Sequence, residues 1–180
     1  MISKLLNIAL IILIAGLVGN YIYKLPKFSK GNEVPAPKIV LKDETNFNLD
    51  SLENKYVLLH FWGSWCATCR RKNPELVSLY KSYLEKNTTD PKFMILSIAL
   101  EKSLDQYETA VAMDSIFWNT QVVEKELFKS DIAKLYGIRE IPTTYLLGPD
   151  KKVLMVNPKI SKLKHFVQNI DSTSIQGQID

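Results

Sequence analysis

The chain has 180 residues, of which 46% are hydrophobic and 23% are charged, so its composition suits a packed globular domain with an appendage and excludes wholesale disorder. The formal net charge of +4 comes from 23 Lys and Arg against 19 Asp and Glu, spread along the chain. Because no long basic run occurs, the charge pattern does not favour a nucleic acid partner.

The N-terminal segment Leu5–Ile22 contains no charged residue. As a helix it would span roughly 27 Å, close to the hydrocarbon thickness of a bilayer. We therefore predict a membrane anchor of the signal-anchor type over residues 1–24. Two alternatives stay open: a cleaved signal peptide, for which Gly16 to Tyr21 offers a poor cleavage site, and a buried helix of a soluble protein.

The charges around this segment bear on its orientation. Lys4 precedes it, whereas Lys24, Lys27 and Lys30 follow it. Counted strictly, the positive-inside rule slightly favours the cytoplasmic side for the rest of the chain. The family resemblance given below implies the opposite side, and we follow the resemblance.

Strands alternate with helices in the rest of the chain. We predict a linker over 25–37, a domain over 38–171 and a flexible tail over 172–180. The predicted strands are Lys38–Leu41, Phe47–Leu49, Tyr56–Trp62, Phe93–Leu100, Thr143–Leu147 and Lys152–Val156. The predicted helices are Cys66–Glu85, Ser103–Met113, Ser130–Tyr136 and Ser161–Ile170, and Ser115–Lys129 stays unassigned. This order predicts an α/β domain with a central mixed sheet and helices on both faces.

The cysteines, Cys66 and Cys69, lie where a predicted buried strand ends and a helix begins. A helix N-terminus stabilises negative charge through its unpaired N–H groups and its dipole. The thiolate is the nucleophilic form of cysteine, so Cys66 is assigned as the attacking thiol. Cys69, one helical turn later, is positioned to resolve a mixed disulfide.

Other uses of this cysteine pair are less well supported. A zinc site needs two more ligands, and beyond the cysteines the histidines are His60, inside a strand, and His165. A covalent haem site needs a histidine directly after the second cysteine, where Arg70 stands. A structural disulfide without catalysis stays open. We predict no metal and no cofactor.

The stretch FWGSWCATCRRKNPEL, Phe61–Leu76, resembles the active-site segment of the thioredoxin superfamily. It is most similar to the membrane-anchored TlpA/ResA-type thiol–disulfide oxidoreductases of the bacterial envelope. The resemblance continues at Tyr136–Thr144, where the family's cis-proline falls on Pro142, and at Pro74, where the family has a helix-kinking proline. It implies a thioredoxin fold with an extra N-terminal β-hairpin over Lys38–Leu49, preceded by a transmembrane helix.

The resemblance also implies a function and a location. The domain would lie on the periplasmic side of a bacterial cell membrane and reduce disulfides in envelope proteins, such as those of apocytochromes. A membrane electron donor of the thiol–disulfide type would reduce its oxidised cysteine pair again. A cis peptide at Ile141–Pro142 would place the Ile141 backbone beside the sulfurs, where a substrate chain can pair with it. Trp65 would shield the disulfide and contact a partner.

Two further residues are candidates for proton transfer. Short thioredoxins carry a buried aspartate where this chain has His60. His60 is either a proton relay or a core residue whose hydrogen bonds are satisfied. Glu101 follows the strand Phe93–Leu100, at the sheet edge where ligands gather in α/β folds. It either supplies a carboxylate near the cysteines or lies in solvent.

Competing functions stay open. The dipeptide Ala67-Thr68 lacks the proline common in reducing thioredoxins, so a disulfide-forming oxidase is an alternative. A peroxidase is disfavoured, because a Thr-x-x-Cys arrangement is absent at the pair. A binding or chaperone module with this fold, without catalysis, is the alternative outside enzymology.

Overall fold

The computed structural model describes residues 2–52, 54–87 and 89–170. The predicted flexible tail, 172–180, and the last residue of the predicted domain, 171, lie outside the described residues. The predicted bounds of the linker and of the domain stay predictions.

The chain begins with a long apolar helix, α1 (Ile2–Lys24). Its stretch Ser3–Lys24 has a mean hydropathy of 2.2, and 0% of its most apolar window is buried against the rest of the protein. Nothing in the described domain covers these apolar side chains. The helix is therefore long and apolar enough to cross a membrane as a single span.

The domain that follows combines strands and helices in the predicted alternation. The strands are β1 (Lys38–Val40), β2 (Asn46–Asn48), β3 (Tyr56–Trp62), β4 (Phe93–Leu100), β5 (Gln121–Glu124), β6 (Thr143–Leu147) and β7 (Val153–Val156). The helices are α2 (Ala67–Lys86), α3 (Leu104–Met113), α4 (Asp131–Leu135) and α5 (Ile160–Asn169), and short 3-10 turns lie at Leu49–Ser51 and Leu127–Lys129.

The larger sheet orders its strands β5-β4-β3-β6-β7. The β3–β4 and β4–β5 pairs are parallel, whereas β3–β6 and β6–β7 are antiparallel. Strands β1 and β2 form a separate antiparallel hairpin. These findings confirm the predicted architecture of a central mixed sheet with an extra N-terminal hairpin.

Alternation along β3 divides the core into two layers, because successive side chains of a strand point to opposite faces. Leu58 and Trp62 pack with the buried faces of α2, α3 and α5. Leu59 and Phe61 pack on the other side with α4 and the hairpin. The sheet is thus covered on both faces, and the carboxyl ends of β3 and β4 meet at one edge, where the cysteine pair lies.

The unassigned segment Ser115–Lys129 contains strand β5. Its four residues run along β4 in parallel register, with Gln121 opposite Ser97 and Glu124 opposite Leu100. A short edge strand that begins and ends on polar residues lacks the apolar run that predicts a strand. Its pairing with β4 supplies the hydrogen bonds that its local sequence does not indicate.

Candidate active site

Cys66 and Cys69 form a disulfide at the junction of β3 and α2, with their Cα atoms 5.2 Å apart. Cys66 is the N-cap of α2 and has an extended backbone, with φ −91°. Cys66 keeps 6% of its surface exposed, whereas Cys69 is fully covered at 0%. Of the two cysteines, Cys66 is therefore the one that a substrate approaching from solvent can reach.

The contacts of Cys66 Sγ favour a negative charge on this atom. The backbone N–H of Cys69 donates to Cys66 Sγ at 3.2 Å. Thr68 Oγ1 lies 3.3 Å from the same sulfur. The N-terminal dipole of α2, a helix of 20 residues, adds to these contacts. In the reduced protein this arrangement stabilises the thiolate of Cys66, which is the form that attacks a disulfide.

The segment before β6 faces the cysteine pair across the site. The Ile141–Pro142 peptide bond is cis. The carbonyl oxygen of Ile141 lies 3.7 Å from Cys66 Sγ. Ile141 is half-buried. A backbone carbonyl so close to the reactive sulfur offers a hydrogen-bond acceptor to the extended chain of a substrate.

Glu101, directly after β4, holds the loop that leads into the cysteine pair. Ser64 donates its backbone N–H to Glu101 Oε1 at 2.6 Å and its hydroxyl to Oε2 at 2.7 Å. Glu101 is buried, and burial raises the pKa of its carboxyl, while the Ser64 hydrogen bonds and the Arg70 charge oppose that rise. The carboxylate contacts the loop and has no described contact with either sulfur.

Trp65 stands over this loop with 48% of its surface exposed. Its indole N–H donates to Leu100 O at 2.8 Å, and its ring meets Phe128 edge-on at 6.1 Å. Gly63 allows the Trp65 indole to reach Leu100 O, since a Cβ on residue 63 would lie 2.8 Å from Trp65 Nε1 and 2.9 Å from Leu100 O. The ring is therefore fixed at its polar edge and open to a partner on its outer face.

His60 lies in the core behind α2, on the same strand face as Trp62. Its Nδ1 is 3.5 Å from Ser97 Oγ, and its Nε2 has no hydrogen-bond partner within the described part of the chain. Burial, reinforced by the nearby Lys72 charge, lowers the pKa of His60 to about 3. A cavity of about 310 Å³, which Pro142 also lines, opens beside the ring. His60 is thus neutral at physiological pH.

Asp114 is a site residue that the sequence did not reveal. Its carboxylate accepts two hydrogen bonds from Arg70, at 2.6 and 2.8 Å, and one from Asn73 Nδ2 at 2.7 Å. Arg70 and Asn73 belong to the first turns of α2, so Asp114 ties the end of α3 to the start of the active-site helix. No local pattern signals this pairing, because Arg70 and Asp114 are 44 residues apart in sequence.

Metal-ligating side chains do not converge at this site. Within residues 2–52, 54–87 and 89–170, no group of three or more His, Cys, Asp or Glu side chains is arranged to hold a metal ion. His165 lies exposed on α5, away from His60 on β3.

Known proteins share both the sequence and the fold of this chain. A family model described as Thioredoxin-like matches residues 54–153. The thiol-disulfide oxidoreductase ResA of Bacillus cereus is 27% identical over 162 residues, which cover 83% of this chain and 84% of the relative. The match therefore extends over most of both proteins.

Solved structures agree with this match. A thiol-disulfide oxidoreductase from Bacteroides fragilis has a TM-score of 0.64 at 30% identity, covering 75% of this chain and 99% of that chain. The thioredoxin domain of a thiol-disulfide oxidoreductase from Bacteroides vulgatus has a TM-score of 0.67 at 23% identity. The second likeness shows the fold alone.

Proposed function

This chain belongs to the thioredoxin-like family and is a thiol–disulfide oxidoreductase, and from that premise we propose that it reduces disulfides of proteins outside the cytoplasm of a bacterium. The observation that carries the proposal is the position of Cys66 Sγ. It caps α2, accepts the Cys69 N–H and faces the carbonyl of Ile141. The Cys66–Cys69 pair is the redox centre, and Trp65, Ile141 and Pro142 form the surface that receives the substrate chain.

The reaction proceeds through two exchanges. The Cys66 thiolate attacks one sulfur of the substrate disulfide, so that a mixed disulfide forms and the other substrate sulfur leaves as a thiolate and takes up a proton. The Cys69 thiolate then attacks Cys66 Sγ and releases the second substrate thiol. The substrate gains two electrons and two protons, and the pair is left as the disulfide seen here.

Glu101 assists these exchanges without touching the substrate, whereas the contacts of His60 support no such role. Glu101 fixes the loop before Cys66 through its two hydrogen bonds to Ser64. His60 is buried and neutral, and its described polar contact is with Ser97 Oγ at 3.5 Å, not with either sulfur. The contacts of Glu101 support a positioning role, and proton transfer by Glu101 or His60 stays a prediction.

The helix α1 supports a location at the membrane. We place it as a single-pass anchor, with the domain on the periplasmic side and substrates among disulfide-bearing envelope proteins, apocytochromes included. A membrane protein with its own thiol pair would return the Cys66–Cys69 disulfide to two thiols. The support for this side and these partners is the resemblance of Phe61–Leu76 to envelope oxidoreductases.

The reduction potential of the pair tests the proposed direction. The full chain in detergent micelles is equilibrated in glutathione and dithiothreitol redox buffers, and its thiols are counted by alkylation and mass. We expect a potential near thioredoxin's value of about −270 mV, because such a couple donates electrons to labile, exposed disulfides, whose potentials are higher. A value near about −120 mV would make the protein an oxidase. Cys69→Ser is the control, since it cannot form the intramolecular disulfide.

A further inference from the structure

The segment that follows the apolar helix is fastened to the domain. We call Tyr23–Val34 the strap. At its start, Arg139 Nη1 donates to Tyr23 O at 2.7 Å, and the guanidinium carbon lies 4.1 Å from the centroid of the Tyr23 ring. Lys24 Nζ lies 3.8 Å from Glu140 Oε2. The end of the membrane helix is therefore joined to the residues that directly precede Ile141.

The middle of the strap is held by aromatic packing. Phe28 meets Tyr136 edge-on at 6.1 Å and Tyr145 edge-on at 6.0 Å. Tyr136 also donates its hydroxyl to Pro35 O, just beyond the strap, at 2.6 Å. Edge-to-face aromatic pairs stabilise a contact beyond the area that they bury, so this contact resists detachment.

Gly137 provides the space through which the strap passes. Lys27 Nζ donates to Leu135 O at 2.9 Å. A Cβ on Gly137 would lie 2.6 Å from Lys27 Cβ, and Gly137 also has a φ of +63°. Only glycine allows both this backbone conformation and this close approach.

The last part of the strap pairs with the edge of the sheet. Gly31 donates its backbone N–H to Val153 O at 2.8 Å, and Val153 donates to Asn32 O at 2.9 Å. Val34 donates to Lys151 O at 3.3 Å and is buried. The strap thus makes backbone hydrogen bonds beside β7, which a free tether would not make.

These contacts limit how far the redox pair can be from the membrane surface. Tyr23 marks the end of the apolar span, where aromatic rings favour the interface. The path from Tyr23 O runs through the Arg139 side chain, two residues of backbone to Ile141 O, and 3.7 Å to Cys66 Sγ. Standard bond lengths give this path an upper bound of about 25 Å.

We propose that the strap is a rigid spacer that holds the redox pair toward the membrane surface, so that its thiol partners are proteins whose reactive cysteines lie at that surface. The partner class rests on the proposed function, since it assumes that the pair exchanges with protein thiols. The orientation does not rest on it. Trp65 and the carbonyl of Ile141, which surround the pair, then face a membrane-embedded or membrane-attached partner.

The orientation can be measured with single-cysteine reporters in the full chain, reconstituted into vesicles. Both reporters are built in the Cys66→Ser, Cys69→Ser background, so that redox activity plays no part. Ala67→Cys is exposed beside the redox pair, and Asp90→Cys is exposed beyond the amino ends of β3 and β4. The probe is a maleimide on a short flexible arm attached to a phosphatidylethanolamine headgroup. For each reporter, the rate of labelling by the lipid-attached maleimide is divided by the rate of labelling by N-ethylmaleimide in solution.

We expect this ratio to be at least about tenfold higher for Ala67→Cys than for Asp90→Cys, because a rigid strap gives the two ends different effective concentrations at the surface. Eight Gly and Ser residues inserted between Leu25 and Pro26 leave the strap's contacts with β7 intact and add a coil of about 16 Å. The insertion should bring the two ratios within about threefold of each other. Equal ratios in the native strap, or no change on insertion, would overturn the proposal.

Discussion

Replacing Cys66 with serine is expected to lower kcat/KM for reduction of a protein disulfide by about a thousandfold or more, because a hydroxyl does not supply the thiolate that attacks sulfur. The structure assigns this role to Cys66 by exposure and contact. Its sulfur is the accessible one, and it receives the Cys69 N–H at 3.2 Å. The measurement is the steady-state rate with the full chain in detergent micelles and dithiothreitol as the reductant.

Cys69→Ser is the matched comparison, because it removes the resolving thiol and leaves the attacking one. This variant should also lose turnover, yet it should accumulate a mixed disulfide between Cys66 and the substrate. Non-reducing gels and mass spectrometry detect that species. If Cys66→Ser traps the substrate and Cys69→Ser does not, the two roles are reversed. If both variants keep the wild-type rate of reduction, the reaction does not pass through Cys66 and Cys69.

Acid should destabilise the protein through His60. Its pKa is lowered to about 3 in the folded protein, from an ordinary value of 6.5. Below pH 6.5 the His60 side chain is protonated in the unfolded chain but stays neutral in the folded protein. The free energy of unfolding therefore falls by about 1.4 kcal/mol for each unit by which the pH is lowered. This contribution is fully present above pH 6.5 and is lost as the pH falls toward 3.

The test compares the wild-type chain with His60→Gln by urea unfolding in micelles at pH 7.5 and pH 4.5. Over that interval the wild type should lose about 2–3 kcal/mol more than His60→Gln. Glu101 contributes with the opposite sign, because burial raises its pKa, but it is common to both proteins and cancels in the comparison. His165→Gln, at an exposed position, should behave as the wild type does. Identical pH dependence in wild type and His60→Gln would refute the buried, neutral state of His60.

The active-site loop and the core strands were predictable because their signals are local. Tyr56–Trp62 and Phe93–Leu100 are apolar runs, and the structure gives both strands the predicted bounds. Cys66 follows the first run after three residues. A continuous apolar segment followed by a cysteine pair at a helix start needs no information from the rest of the chain.

The elements that escaped prediction depend on distant partners. Strand β5 exists because it pairs with β4, and its own four residues, QVVE, carry a weak strand signal. Asp114 reaches Arg70 only after α3 has packed beside α2. The sequence allows two interpretations of Glu101, and only the folded loop shows that its carboxylate accepts two hydrogen bonds from Ser64. Such pairings are set by tertiary structure, which local patterns do not encode.

The strap illustrates the same limit. A segment rich in Pro, Lys and small polar residues predicts an extended linker. Its attachment depends on the space at Gly137 and on the exposed hydrogen-bonding edge of β7, both far along the chain. The composition of residues 25–37 therefore indicates an extended backbone, whereas its contacts depend on the fold.

The central claim is that Cys66 and Cys69 exchange directly with a protein disulfide, and single-turnover chemistry tests it most directly. The reduced full chain in micelles is mixed with an equimolar protein that carries one disulfide, quenched with acid at intervals, and alkylated. We predict that each substrate disulfide lost yields one Cys66–Cys69 disulfide, through a transient species joined at Cys66. If the substrate keeps its disulfide, or is reduced while Cys66 and Cys69 keep both thiols, the claim is wrong.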